Sequence, residues 1–173
     1  GLVRLVLDGA SITSSTGAAV AVVKADETVI WLADGTQNVL VDAAAYVFPD
    51  AEEDEPNATL FSKDDLAIAG SGELSVTANY NDGIASKDGL VIAGGDISVT
   101  AADDGIRGKD YLVVSGGSIG VDASGDALKS DEEDDPSLGY VRITGGTLDL
   151  TSGTDAIEAF SAVIVSGGDV TIA

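Results

Sequence analysis

The sequence predicts an all-β fold, a right-handed parallel β-helix: a solenoid with three short strands per rung and about 22 residues per rung. Three observations carry this. First, a motif returns at fixed spacing. Asn81-Asp82-Gly83-Ile84-Ala85-Ser86-Lys87-Asp88 is followed by Asp104-Gly105-Ile106-Arg107-Gly108-Lys109-Asp110 and by Asp126-Ala127-Leu128-Lys129-Ser130, in steps of 22 residues (82 to 104, 104 to 126). A period in this range is the signature of stacked repeats. Second, paired glycines recur at 94–95, 116–117, 145–146 and 167–168, as a corner with a positive φ requires. Third, aliphatic residues align from copy to copy: Ile92, Val114, Ile143 and Val165; Ile97, Ile119, Leu148 and Val170; Val99, Val121, Leu150 and Ile172; Leu60, Ile84, Ile106, Leu128 and Ile157. Stacked rungs bury such rows. Right-handedness is the default for parallel crossovers, and no segment keeps a 3.6-residue period, so little helix is expected.

In chain order, residues 1–56 read as irregular N-terminal rungs and an acidic loop, and 57–173 as regular repeats, all in one domain. Residues 2–7, 18–23 and 29–32 are apolar and β-branched, broken by Asp-Gly at 8–9 and 34–35. The loop over 43–56 holds the acidic run at 50–55, expected to be solvated. A weaker copy of the motif, Asn57 to Asp64, opens the regular part. Each full repeat is expected to hold three strands, exemplified by 90–92, 97–99 and 105–107. A decayed copy, Thr154-Asp155-Ala156-Ile157, comes 29 residues after the third (126 to 155), the extra length carrying the acidic segment 132–139.

Thirty acidic against eight basic residues leave a net charge of −22. This excludes non-specific nucleic-acid binding, which needs cations to displace counterions, and disfavours anionic membranes. No apolar run is long enough for a membrane span. The chain has no cysteine and no histidine, which removes disulfides and the thiolate and imidazole donors that zinc and copper prefer. It begins at Gly1 without methionine and is expected to be a mature or trimmed piece of a longer, secreted protein, extracellular and either free or attached to a cell surface.

The architecture gives the acids a meaning. Equivalent residues in successive rungs stand roughly 4.8 Å apart. Asp82, Asp104, Asp126 and Asp155 then form one carboxylate ladder, and Asp64, Asp88 and Asp110 another. Like charges at about 5 Å repel by roughly 1 kcal/mol in water and by more where solvent is excluded. A Ca²⁺ ion, which takes six to eight oxygens, reverses that sign. The candidate metal ligands are Asp82, Asp104, Asp126, Asp103, Asp88, Asp110, Asp155 and, from the run after the third copy, Asp131 and Glu133. The competing reading is that Asp-Gly is a common turn dipeptide and that Lys-Asp pairs form weak surface salt bridges.

The ordered series Asn79-Tyr80-Asn81-Asp82-Gly83-Ile84-Ala85-Ser86-Lys87-Asp88, Asp104 to Asp110 and Gly125 to Ser130, with Asp34 to Asn38 and Ala58 to Leu66 upstream, resembles the secreted bacterial carbohydrate-binding β-helix family over roughly 29–173. The resemblance implies a right-handed parallel β-helix similar to pectate-lyase-type folds, bound calcium, and binding rather than cleavage of plant cell-wall polysaccharide, notably acidic sugars or cellulose. Two departures are Ala127, where the third motif has lost its glycine, and the missing Lys-Asp after Asp155.

A polyuronate is itself anionic, so its capture by this chain needs local positive charge. Lys63, Lys87, Lys109, Arg107 and Lys129 fall at or beside one corner and are the candidate sugar contacts, with Tyr80, Tyr111 and Tyr140 as candidate stacking residues, although no aromatic platform is evident. Two other functions compete. A calcium-dependent polysaccharide lyase would use Lys87 or Lys109 as base beside the metal, although regular repetition of those lysines suits a scaffold better than one catalytic centre. A structural solenoid would stack end to end through exposed strand edges into a fibre or adhesin stalk.

Overall fold

The computed structural model describes residues 1–50 and 52–173; Ala51, within the acidic run, lies outside them. Among the described residues every regular element is a strand, and the chain coils through seven rungs. The first is β1 (Leu2–Leu7), β2 (Ser11–Thr13) and β3 (Val20–Val22). The second is β4 (Glu27–Leu32), β5 (Gln37–Val41) and β6 (Ala58–Ser62). The third is β7 (Asp65–Gly70), β8 (Glu73–Ala78) and β9 (Asp82–Ser86). Then follow β10 (Gly89–Ile92), β11 (Asp96–Ala101) and β12 (Ile106–Gly108), and next β13 (Tyr111–Val114), β14 (Ser118–Ala123) and β15 (Leu128–Ser130). The sixth is β16 (Tyr140–Ile143), β17 (Thr147–Ser152) and β18 (Ile157–Ala159), and the last holds β19 (Ala162–Val165) and β20 (Asp169–Ile172). First strands stack into a seven-stranded sheet A, second strands into a seven-stranded sheet B, and third strands into a six-stranded sheet C. All pairings are parallel.

The register confirms the aliphatic rows. Leu60 pairs with Ile84, Ile84 with Ile106, Ile106 with Leu128 and Leu128 with Ile157. Ile84, Ile106 and Leu128 are sealed from solvent, as are Ile92, Val114 and Ile143. Each fully buried aliphatic side chain contributes roughly 1.5–3 kcal/mol. The glycine corners between sheets A and B take positive φ at their second residue, 101° at Gly95 and 96° at Gly117.

The N-terminal part is more regular than its sequence suggests. β2 and β5, which carry little hydrophobic pattern, pair in register with the later second strands. The irregularity is one insertion, 42–57, between β5 and β6. Its described residues lie around Phe61 on the outer face of sheet C, where Ala58, Phe61 and Ala85 form a small buried cluster separate from the main core. Asp42, itself buried, fixes its base: it accepts the Asn79 N–H (2.6 Å) and the Tyr46 hydroxyl (2.8 Å).

Candidate functional site

The three motif copies build the corner that leads into sheet C. Asp-Gly is required in the first two by packing. A Cβ on Gly83 would stand 2.3 Å from Val99 Cγ1, and one on Gly105 2.3 Å from Val121 Cγ1. The third copy carries the methyl of Ala127 fully buried.

The ladder aspartates stack as the period requires, and all three central ones are buried: Asp82 is 1%, Asp104 7% and Asp126 5% exposed. Their stacking is a staircase of hydrogen bonds. The Asp104 N–H donates to Asp82 Oδ1 (3.3 Å), the Asp126 N–H to Asp104 Oδ1 (2.9 Å) and the Asp155 N–H to Asp126 Oδ1 (2.9 Å). Each carboxylate thus spends one oxygen on the next rung's backbone. Asp155 ends the series on the surface.

The second oxygens meet different fates. At the C-terminal end the Lys129 ammonium lies 2.8 Å from Asp126, 3.2 Å from Asp104 and 2.9 Å from Glu158. Thr154 adds a hydroxyl donor to Asp126. Burial raises the Asp126 pKa, but these donors, with Glu158 and the Asp155 N–H, outweigh it and hold the carboxyl well below the usual range. This end is satisfied without a metal, and Ca²⁺ does not fit there.

At the N-terminal end Asp82 Oδ2 is buried and has no hydrogen-bond partner among the described residues. The nearest cation, Arg107, stands 3.9 Å away and is held instead by Asp131 through a two-pronged pair of 3.2 and 2.6 Å. Burial, with the Asp104 charge next, pushes the Asp82 carboxyl up to about 7 against the pull of Arg107. Carboxylate oxygens of Asp82, Asp103 and Asp104 come within 4.8 Å of one another. This donor set, all hard oxygen with one orphaned buried atom, fits Ca²⁺.

The other candidate ligands are placed as follows. Asp88 and Asp110 are half-buried in the second ladder. Burial raises both pKa values, with Asp65 and Asp64 adding to it at Asp88, and Asp88 and Glu132 at Asp110. Asp103 is exposed and Glu133 points to solvent, while Asp131 is engaged by Arg107.

Each of the five candidate sugar-binding cations is matched to a carboxylate. Lys87 pairs with Glu55 at 2.6 Å, with Lys63 further off at 3.9 Å; Lys109 pairs with Glu132 at 2.8 Å; Arg107 and Lys129 are engaged as above. Their partners are therefore not Asp64, Asp88 and Asp110. Glu55, at the end of the acidic run, is a pinned counter-ion rather than a solvated charge. Tyr80 stacks on Tyr46 with ring centroids 4.2 Å apart, beside Phe48. A cavity of about 450 Å³ opens under this loop, with Phe48, Pro56 and Phe61 in its wall and Glu52, Glu53, Asp54 and Glu55 at its edge. That charge balance is wrong for an anionic sugar. The roles of Glu55, Glu158 and Asp42 were invisible in the sequence because none lies on the 22-residue period.

Over all of residues 1–173 the chain matches the family described as carbohydrate-binding domain-containing protein. A carbohydrate-binding domain-containing protein of Acetivibrio thermocellus is 49% identical over 168 residues, which is 97% of this chain and 59% of that protein. The chain thus spans less than two thirds of that relative's length. A polysaccharide lyase-like protein from C. thermocellum, solved as a gadolinium derivative, superposes with a TM-score of 0.89 at 39% identity, over 99% of this chain and 73% of that one.

Proposed function

The chain belongs to the family of carbohydrate-binding domain-containing proteins, and from that premise we propose that it captures an extracellular acidic polysaccharide with the help of calcium and does not cleave it. One observation carries the calcium reading: the buried, unpartnered Oδ2 of Asp82 beside the carboxylates of Asp103 and Asp104. Asp82, Asp103 and Asp104 would hold the ion, which would neutralise their charge and offer remaining coordination positions to a uronate. The relative solved with gadolinium takes up a hard, oxygen-seeking cation, and Ca²⁺ has the same ligand preference.

The pairing of the cations supports binding over elimination. A lyase base must be free to accept a proton. Lys87 is tied to Glu55, and the hydrogen bond to Glu132 leads the effects that raise the Lys109 pKa. At Arg107 burial pulls the pKa down, but the Asp131 carboxylate overrides it and keeps the guanidinium charged.

The test is titration with trigalacturonate in Ca²⁺ and in chelator, for the native chain and Asp82→Asn, with ultraviolet detection of unsaturated product. Calcium-dependent binding, lost in Asp82→Asn and without product, is the expected result. Binding indifferent to chelator removes the calcium reading, and accumulation of unsaturated product removes the non-catalytic one. A second reading, association of copies end to end, draws on the apolar side chains exposed on the outermost rungs, Leu2, Val6, Phe160 and Val165 among them. Sedimentation at several concentrations tests it.

A further inference from the structure

Eight side chains of the chain are basic. Five of them, Lys63, Lys87, Arg107, Lys109 and Lys129, are in ion pairs. Among the described residues Arg4, Lys24 and Arg142 form no ion pair with a side chain. Two of these three stand in one outward column of sheet A. The register runs from Arg4 to Val29, Ala67, Val91, Val113 and Arg142. The column is therefore an apolar strip with no acid in it, with an arginine on the first strand and another on the sixth, and it runs on to Ile164 on the last. Five strand steps of roughly 4.8 Å set those arginines ~24 Å apart.

Each arginine has an aromatic ring beside it. The Arg4 guanidinium lies 4.7 Å from the centre of the Trp31 ring. Beside Arg142, Tyr140 stacks on Tyr111 with centroids 5.6 Å apart and planes within 15°. Tyr111 in turn lies flat over Gly89, where a Cβ would stand 2.1 Å from Tyr111 Cζ. A bare glycine, a ring and a second ring thus make a rigid stack whose last member, Tyr140, borders a groove. The groove, about 410 Å³, is also lined by Pro136, Ser137, Arg142, Ser161 and Ile164, and no carboxylate lines it. In a chain of net charge −22 that absence sets the groove apart from the glutamate-edged cavity under the 43–56 loop.

We propose that the outer face of sheet A is a saccharide-binding surface and that Arg142 and Tyr140 form its uronate subsite. A guanidinium presents paired donors that match a carboxylate, and an aromatic face with an adjacent cation accommodates a sugar ring and its acid together. Ser137 and Ser161 already donate their hydroxyls, to Asp135 and to the Leu138 carbonyl, so their oxygens remain as acceptors for sugar hydroxyls. The strip of Val29, Ala67, Val91 and Val113 then runs under the rest of the polymer. The inference rests on the reading of the chain as a binder of acidic polysaccharide. It places a contact away from the corner lysines, whose charges are already matched.

The experiment titrates the native chain, Arg142→Gln, Arg142→Lys, Tyr140→Ala and Lys24→Gln with trigalacturonate and with neutral cellotriose, and records melting curves for each. Arg142→Gln is expected to weaken trigalacturonate at least tenfold with an unchanged melting temperature and an unchanged response to chelator. Arg142→Lys should recover part of the loss, Tyr140→Ala should weaken binding of both sugars, and Lys24→Gln, which removes the same charge elsewhere, should leave affinity as it was. Native affinity in Arg142→Gln overturns the subsite while the broader reading stands. An equal loss in Lys24→Gln overturns it in favour of net charge. No trigalacturonate binding by the native chain overturns both.

Discussion

Asp82 and Asp126 occupy the same position of the same repeat two rungs apart, yet their carboxylates stand in opposite states. Asp126 is surrounded by donors: Lys129, Thr154 and the Asp155 N–H. Asp82 has one oxygen on the Asp104 N–H and the other on nothing. The cause is the residue three places on. Lys129 reaches back to Asp126, whereas its register partners in the two preceding rungs are Arg107, which turns to Asp131, and Ala85, a methyl buried beside Phe61. The repeat sets where the carboxylates stand; the single variable outward position beside them sets whether they are neutralised from within or left unpartnered.

The largest effect removes the frame both ends share. Ile106→Asp places a charge in the sealed column between Ile84 and Leu128. It should cost about 4 kcal/mol or more and unfold the chain, read by circular dichroism. A melting temperature near native would break the register on which the comparison depends.

Lys129→Met should turn the closed end into an open one. It strands Asp104, Asp126 and Glu158, and loss of one partner of a buried ion pair costs roughly 3–5 kcal/mol. Denaturation in chelator should show that loss, and added Ca²⁺ should recover part of it. An equal loss with and without Ca²⁺ would mean that carboxylate spacing alone does not make an ion site.

Removing Ca²⁺ from the native chain should cost about 2.7 kcal/mol if free ion stood a hundredfold above its Kd. Asp82→Asn should lose this response and, in chelator, be more stable than native, because the orphaned charge and its repulsion with Asp104 go together. Asp82 is a cleaner choice than the central Asp104, whose second oxygen already serves Lys129. Chelator responses that match between native and Asp82→Asn would remove the distinction between the two ends.

The smallest effect is at Glu158, half-exposed on the outer edge of the Lys129 cluster. Glu158→Gln should cost only about 0.2–1 kcal/mol, as exposed pairs do. A cost near that of Lys129→Met would show that the cluster works as one unit.

Much of the fold was legible in the sequence because burial in a solenoid is periodic. Ile84, Ile106 and Leu128 are recognisable as one row from their spacing alone, and the paired glycines mark the corner where a positive φ falls. β2 and β5 were hidden because neither alternates as a strand should: β2 is only Ser-Ile-Thr, and β5 buries Asn38 while Val39 and Val41 face outward. The site was legible only as columns. That Asp82, Asp104 and Asp126 stack follows from the period; that one of them lacks a partner does not.

By itself, then, the sequence determined the rung, its three-strand outline, the aliphatic rows and the aspartate ladder, since a fixed repeat forces equivalent residues to strand spacing. Only the tertiary structure decided which charges meet. Lysine and arginine side chains span several ångströms and choose among acids in their own rung, the next rung and the non-repeating insertions, so Glu55, Asp131, Glu132 and Glu158 capture the corner cations. Arg4 and Arg142, on the acid-free column of sheet A, are left without such partners, and no period in the chain marks them out.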